Sequence, residues 1–555
     1  MLLWALGAGA LDDPGEGMHA EIARELARAG DPFALTLNGV RYVDKPPLLY
    51  ALIVLASKAV GETELAARLP SALAAIVAVG ATAWLGARLL TPAHGVFAGV
   101  ALLSSVGFFA YGRYARPETL LVATLTVGFA LTLTGLVDGR RGRVIGGLVA
   151  FGVAGLAKDP FAAFLPPLAI GLALALGGHA RPFRRWLPPL GIVGGIVLAL
   201  GWWAFAEVRT PGYVWYTVVD NHLLNLARAR HFPDEDVPLG AAEFLAVALV
   251  GAAPWALAAA ASVVDLARRR AWRYPEELPW VALAVWTVGV LAITALSPFR
   301  LPHYGLPAYP MLALLAARAW RSHAARWLVP VHAALFVTIA GAAALAWASD
   351  GSAFFEGLMV STDVATRKGG FAGVASSLPP WSAFRPLVGW TTVTFLLAGV
   401  ALASVTTVPW RAAALGAAAV ALGSIALLPA VSSALALVAT HRAVKPLALE
   451  IRQRWQPGDT LVHEGAIENS GALEWYSGHR PVVVDGRRSV LGFGATLDGG
   501  SHFWDAERLT AAWTSRARVW LVTARVEPAS VVPRLPGARL VAASGGRRLY
   551  VNRDE

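Results

Sequence analysis

The sequence predicts an α-helical polytopic membrane protein of about thirteen transmembrane helices with a small extracytoplasmic α/β domain at its carboxyl end. Three observations lead there. Of 555 residues, 56% are hydrophobic and only 15% charged, against roughly a quarter charged in soluble domains; mean hydropathy is +0.55. Apolar runs suited to crossing ~30 Å of hydrocarbon recur up to about residue 440. The remaining residues change to short β-type runs between helical ones. This composition excludes a disordered chain, a soluble nucleic-acid-binding protein and a conventional cytosolic enzyme. The net charge of +11 belongs to cytoplasmic loops that orient the helices. No cysteine is present, so there is no disulfide framework, cysteine zinc site or thiol nucleophile. Any metal must sit on His, Asp, Glu or lipid phosphate oxygens.

Residues 1–11 are apolar but too short to span at 1.5 Å per residue. They lack the charged start and small-residue cleavage site of a signal peptide. They read as the tail of a first transmembrane helix, truncated by a misplaced start. Further spans are expected at 67–90, 93–113, 117–137, 144–158, 161–178, 186–206, 241–265, 279–297, 303–319, 327–348, 387–407 and 411–440. Arginines mark alternate loops: Arg140, Arg141 and Arg143; Arg181, Arg184 and Arg185; Arg268, Arg269, Arg270 and Arg273; Arg318, Arg321 and Arg326; and Arg411. Placing these in the cytoplasm satisfies the positive-inside rule. The outer side then receives segment 12–66, loop 207–240, loop 349–386 and the chain from about 441.

Within segment 12–66, the run from His19 reads as an amphipathic helix and Leu48–Val60 as a second, both suited to the membrane interface. Asn38-Gly39 marks a turn and Pro46-Pro47 a rigid break. In the last part, Thr460-Leu-Val, Pro481-Val-Val-Val-Asp485, Val519–Thr523 and Arg548-Leu-Tyr-Val read as strands. Leu447–Trp455 and Ala506–Trp513 read as helices. No internal repeat suggests a transporter of inverted halves.

Charged groups recur at the outer helix ends. Asp12, Asp13 and Glu16 form a carboxylate cluster beside the bilayer, able to act as general base, to hold a cation or merely to cap a helix. Lys45 is a point cation suited to phosphate, with Asp44 beside it as a metal ligand or its salt-bridge partner. Arg113-Tyr-Ala-Arg116-Pro-Glu118 offers either interfacial anchors or, in Glu118, an acid opening an apolar helix. Lys158-Asp159-Pro160 is a charged turn between apolar helices. Asp220-Asn221-His222 with Asn225, Arg228, Arg230 and His231 combines an imidazole suited to metal with phosphate-type forks. Ser297 to Pro307 adds Arg300 and Tyr304, which a snorkelling belt would also explain.

At His19-Ala-Glu-Ile-Ala-Arg-Glu, Asn38-Gly-Val-Arg-Tyr-Val-Asp-Lys-Pro-Pro-Leu and Ala67-Arg-Leu-Pro-Ser, the chain resembles the bacterial branch of the protein O-mannosyltransferase superfamily, whose best-known member is the lipid A aminoarabinose transferase. The ordered match runs from residue 12 to about 310. The resemblance implies a GT-C glycosyltransferase: a transmembrane catalytic domain over 1–440 and a soluble extracytoplasmic domain over 441–555. It implies a multi-pass protein of the bacterial inner (plasma) membrane, with its active site on the extracytoplasmic side. The implied partners are a polyprenyl-phosphate sugar donor, membrane lipid and an extracytoplasmic acceptor (lipid A, glycan or protein), with a divalent metal cation as cofactor and no nucleic acid.

Position by position, the family's first-loop Asp corresponds to Gly15. Related Asp-Pro-x-Glu sequences favour Asp13 as catalytic base, with Glu16 second. His19 replaces the family's Tyr, and Met18 the preceding Arg. Asp44 matches the acidic metal position and Lys45 the phosphate-binding Lys. Glu118 matches the acid of an Arg-Pro-Asp motif, and Lys158 the Lys of Lys-Gly-Pro, with Asp159 in place of Gly. His222, as metal ligand, and Arg228, Arg300 and Tyr304, as phosphate contacts, complete the implied donor site. The expected reaction is a single inverting displacement. The competing expectation, a lipid or solute transporter, requires polar residues near mid-membrane.

Overall fold

The computed structural model describes residues 1–553 except 32, 182, 323, 363–377, 406–411, 499, 501 and 527. Arg411 and part of loop 349–386 lie outside the described residues. The chain is an α-helical membrane protein with a small α/β sheet unit at its carboxyl end. Helices follow in order as α1 (Glu16–Arg28), α2 (Leu48–Val60), α3 (Glu64–Leu89), α4 (Pro92–Ser104), α5 (Val106–Gly112), α6 (Glu118–Val137), α7 (Arg141–Ala157), α8 (Phe161–Leu176) and α9 (Pro189–Arg209). After a π-helix at Trp215–Leu224 come α10 (Ala241–Gly251), α11 (Trp255–Arg268), α12 (Leu278–Leu296), α13 (Tyr309–Arg321), α14 (Ala325–Ala348), α15 (Ser352–Thr362), α16 (Trp381–Val405) and α17 (Ala412–Arg442).

Among the described residues, each apolar run expected from residue 67 onward lies mostly on helix, but length separates them. Among the described residues, seven helices are long and apolar enough to cross a membrane, nine if two bent pairs count as spans. The bends are 71° between α4 and α5 and 106° between α10 and α11. The expected thirteen is therefore not confirmed. Helices α7, α8 and α13, of 17, 16 and 13 residues, reach only about 20–26 Å at 1.5 Å per residue.

Residues 1–11 are a run of turns, not the tail of a helix. The cause is Arg68 on α3. Its guanidinium, 5% exposed, draws in the carbonyls of Leu6 (3.0 Å), Gly9 (2.7 Å) and Ala10 (2.8 Å), and a helix would spend those carbonyls on its own backbone.

The two helices of segment 12–66 form as expected. Between them, Asn38 (φ 53°) and Gly39 (φ 75°) turn the hairpin of β1 (Thr36–Leu37) and β2 (Val40–Arg41), the backbone that Asn-Gly favours. However, α1 does not offer an apolar face to an interface. Its residues from Glu16 to Leu26 are all buried, between α2 and the carboxyl-terminal unit.

That unit contains α18 (Lys445–Arg454), β3 (Thr460–Glu464), α19 (Gly471–Ser477), β4 (Val482–Val484), α20 (Gly492–Leu497), β5 (Phe503–Trp504), α21 (Ala506–Thr514), β6 (Val519–Thr523), β7 (Arg539–Ser544) and β8 (Arg547–Val551). The sheet order is β5-β4-β3-β6-β8-β7. Four strands are parallel and the β8–β7 edge is antiparallel. The chain leaves β3 first to one side and later to the other, the arrangement that opens a crevice at the carboxyl ends of parallel strands. Here those ends meet the first loop and loop 228–236 of the same protein. Arg525 after β6 pairs with Glu235 (3.6 Å).

The junction is close-packed. A Cβ at Gly17 would lie 2.5 Å from Ala472 Cβ, and one at Gly471 2.6 Å from Met18 Cα, so α1 and α19 approach backbone to backbone. Arg24 donates to the carbonyls of Trp475 (2.9 Å) and Glu474 (3.0 Å). Arg480 pairs with Glu25 (3.1 Å) and Glu474 (3.4 Å). Leu11, Ala20 and Ala67 share an apolar cluster with Leu447, Tyr476 and Trp520.

Candidate functional site

A cavity of about 1730 Å³ lies under the first loop. Its apolar walls include Leu168 and Leu172 of α8, Val250 of α10, and Ile293 and Leu296 of α12. These side chains are also largely exposed, so the apolar part of the cavity is accessible along helices that a bilayer would surround.

Its polar end is built from five segments. On the first loop, Lys45 forms an ion pair with Asp44. Asp44 also accepts from Asn221 Nδ2 (3.2 Å), and Asn221 Oδ1 accepts from Arg230 (2.6 Å). Arg230 donates to Asp234 (3.0 Å). Burial raises the Asp44 pKa, but Lys45, Arg230 and Lys158 more than offset it and hold the carboxyl below its usual range. The π-helix supplies Asn221, and such wide helices are frequent at functional sites. Buried Asp220 on the same helix accepts from the amides of His231 (2.7 Å) and Phe232 (3.3 Å), fixing the loop that carries Arg230.

The second group centres on Glu118, which opens α6. Its carboxylate meets Lys158 Nζ, Arg116 Nε and His303 Nε2, each at 3.3 Å. Lys158, at the end of α7, also lies 4.8 Å over the ring of Tyr304. Glu118, Lys158 and Tyr304 therefore come together as expected, and all line the cavity with Lys45 and Asp44.

Other expected site residues do not join them. Asp13 does not line the cavity. Its carboxylate turns to the carboxyl-terminal unit and accepts from Ala472 N (3.0 Å) at the start of α19. Burial pushes the Asp13 carboxyl up to about 7 against the pull of Arg547 and the Ala472 amide. Glu16 touches the cavity but is 0% exposed. It is held by Arg68 through two bonds (2.7 and 2.5 Å) and by Ala115 N (3.0 Å), which commits its oxygens to the packing of the first loop against α3. Asp12 pairs with Arg442 (3.0 Å). Arg300 lies outside the cavity lining, its guanidinium bound to the carbonyls of Leu239 (2.7 Å), Ala295 (3.3 Å) and Ser297. Arg228 is an exposed turn residue with φ 56°; Arg230, two positions on, faces the cavity instead.

Arg116, Asn221, Arg230 and His303 line the cavity as well; they stood in the sequence constellations without being among the assigned site residues. Arg116 was visible as the cation two positions before Glu118. His303, 2% exposed, stood in the Ser297–Pro307 constellation directly before Tyr304. His19 lines the cavity too, bonded to Tyr50 (3.0 Å). Burial lowers its pKa to about 3, so the ring is neutral at physiological pH.

The implied metal fits this donor set poorly. Lys45 and Asn221 already occupy the Asp44 carboxylate, while His222 Nδ1 meets Thr217 O (2.7 Å) and its ring packs on Phe161 (4.9 Å). Among the described residues the group of three close enough to share an ion is Glu21, Glu25 and Glu474. It lies between α1 and α19, outside the cavity lining, beside Arg24 and Arg480. Burial and mutual repulsion push Glu21 up to about 8 and Glu474 to about 7.

Comparison with known proteins follows the same lines. Residues 44–205 match the dolichyl-phosphate-mannose-protein mannosyltransferase family. An undecaprenyl phosphate-alpha-4-amino-4-deoxy-L-arabinose arabinosyl transferase of Pseudomonas aeruginosa is 27% identical over 318 residues, spanning 55% of this chain and 55% of that protein. One from Pseudomonas savastanoi is 29% identical over 341 residues, 58% of this chain and 59% of its own length. The matches thus span little more than half of these relatives. The crystal structure of ArnT from Cupriavidus metallidurans bound to undecaprenyl phosphate superposes with a TM-score of 0.78 at 22% identity, covering 100% of this chain and 96% of that one. The resemblance read from the first-loop motifs is borne out, in fold over the whole chain and in sequence over about half of it.

Proposed function

We propose that the protein is a glycosyltransferase that moves a sugar from a polyprenyl-phosphate donor to an acceptor outside the cytoplasm. The observation that carries this reading is the cavity itself. An apolar wall suits a polyprenyl chain, and it leads to Lys45 and Lys158, each resting on a carboxylate. A donor phosphate competes for both ammonium groups and for Arg230. As they turn to it, Asp44 loses Lys45 and Glu118 loses Lys158, while Arg116 stays beside Glu118 (3.3 Å). Glu118, nearest Lys158, then takes the acceptor hydroxyl proton. The acceptor oxygen bonds to the anomeric carbon as the bond from that carbon to the phosphate oxygen breaks. The charge arriving on the phosphate is met by Lys45, Lys158 and Arg230, with the Tyr304 hydroxyl beside them. A single displacement inverts the anomeric centre. No step is assigned to a metal.

By likeness to the arabinosyl transferases, the donor is an undecaprenyl-phosphate pentose and the acceptor lipid A. In the transporter alternative, polar groups would sit at mid-helix; here they gather at helix ends and in the first loop. Transfer of radiolabelled sugar from a polyprenyl-phosphate donor in membranes containing the protein tests this reading. Transfer is expected both with and without EDTA. No transfer under either condition rejects the enzyme, and transfer abolished by EDTA rejects the metal-free mechanism.

The arginine-rich loops, read by the positive-inside rule, support a location of the site and the carboxyl-terminal unit outside the cytoplasm. A reporter active only in the cytoplasm, fused after Glu555, should be silent; strong activity would reverse the topology.

A further inference from the structure

Lys45 and Arg230 both line the cavity, yet they stand on separate pieces of chain with little rigidity of their own. Lys45 follows the two-residue strand β2, and Arg230 lies in the loop after the π-helix. Asn221 bridges them, donating to Asp44 (3.2 Å) and accepting from Arg230 (2.6 Å). A phosphate competes for that same Arg230 guanidinium, so the bridge weakens as the ligand arrives. Binding side chains carried on loops keep their spacing only when a rigid scaffold holds the loops.

The carboxyl-terminal unit supplies a scaffold to both pieces at once, through α20 and the residues before it. Towards the first loop, a Cβ at Gly494 would collide with Arg41 O, and Asp498 accepts from Arg41 N (2.7 Å). Val43, the residue before Asp44, shares an apolar cluster with Phe493. Towards the other piece, the Phe493 ring stacks on Tyr216 of the π-helix (5.0 Å, 9° between planes) and meets Phe232, two residues after Arg230, edge to face (5.5 Å, 73°). Tyr216 Oη donates to Val490 O (3.0 Å), and Arg488 Nε to the backbone O of Asp234 (3.1 Å), whose carboxylate holds Arg230 (3.0 Å). Stacked and edge-to-face rings fix orientation as well as burying area. Phe493 is itself outside the cavity lining, so any effect on a ligand passes through the two pieces it joins.

We propose that Phe493 is a positioning residue, holding Lys45 and Arg230 at the spacing at which both reach one phosphate. The proposal rests on the polyprenyl-phosphate reading of the cavity, and its test reads binding rather than turnover. The full-length protein in phosphatidylcholine nanodiscs is titrated with undecaprenyl phosphate and with undecaprenol, and each variant is melted. Phe493→Ala should weaken binding of the phosphate by roughly tenfold, the order of loss that a small misplacement of binding groups brings, and leave undecaprenol unchanged. Phe493→Leu should show a smaller loss in the same direction, about threefold, and carries the test if the alanine variant does not fold. In an Arg230→Gln background the spacing no longer matters, so adding Phe493→Ala should cost less than about twofold; independent effects would multiply instead. Equal losses for both lipids, or losses that multiply, would overturn the positioning role and leave Phe493 as packing. A wild type that binds the phosphate no better than the alcohol would refute the donor reading and the positioning role with it. A preference for the phosphate that both Phe493 variants keep in full would refute the positioning role alone.

Discussion

Lys45→Ala raises the donor concentration needed for half-maximal transfer by roughly 30-fold or more, the equivalent of about 2–5 kcal/mol for a desolvated phosphate that loses its cation. The protein should still fold, because Asp44 keeps its bond from Asn221 (3.2 Å) and the attraction of Arg230. Lys45→Arg should recover part of the loss, since a guanidinium restores charge with a different reach. Steady-state kinetics against a polyprenyl-phosphate sugar, with a thermal melt of each variant, gives the answer. An unchanged donor dependence in a folded Lys45→Ala protein would remove Lys45 from the phosphate site and shift that role to Lys158.

Glu118→Gln should slow transfer by about 10²–10⁴-fold, the usual contribution of a general base, while donor binding survives. The amide keeps the shape and can still accept a hydrogen bond, but it cannot take the proton. Asp13→Asn is the matched comparison. Asparagine caps a helix about as well as aspartate, so the Ala472 amide keeps its acceptor and turnover should stay close to wild type. Single-turnover rates with saturating donor separate the two. If Asp13→Asn has the larger defect, proton transfer runs through the first loop after all. If both are nearly silent, Asp44 becomes the next candidate base.

Much of this was legible in one sequence because helices announce themselves by composition. The spans from α3 to α17, the Asn38-Gly39 turn and most strands of the carboxyl-terminal unit follow local rules of apolar length, turn chemistry and alternation. The Lys45, Glu118 and Lys158 positions were legible because charges at the ends of apolar helices are few and therefore conspicuous. What could not be read depends on contacts across hundreds of residues. Nothing local reveals that Asp13 meets Ala472 or that Arg68 gathers the carbonyls of Leu6, Gly9 and Ala10. Likewise, Arg300 and Arg230 look alike in sequence, and only the fold binds one to backbone carbonyls and turns the other into the cavity. The edge strands β5 and β7 were missed for a related reason: they are fixed by pairing with β4 and β8 rather than by their own pattern.

The backbone-to-backbone crossing of Gly17 and Gly471 has a consequence for protein engineering. Chimaeras of relatives are commonly cut where a soluble unit joins a membrane unit, here just after Arg442. Such a cut would separate two surfaces matched to within a methyl group. A foreign carboxyl-terminal unit with alanine at the position of Gly471 would push α1 outward, and Asp12, Glu16 and His19 move with that segment of the chain. A graft intended to change only the appended unit would thus reshape the cavity. Transplanting residues 12–66 together with the carboxyl-terminal unit, as one non-contiguous module, is the exchange this architecture permits.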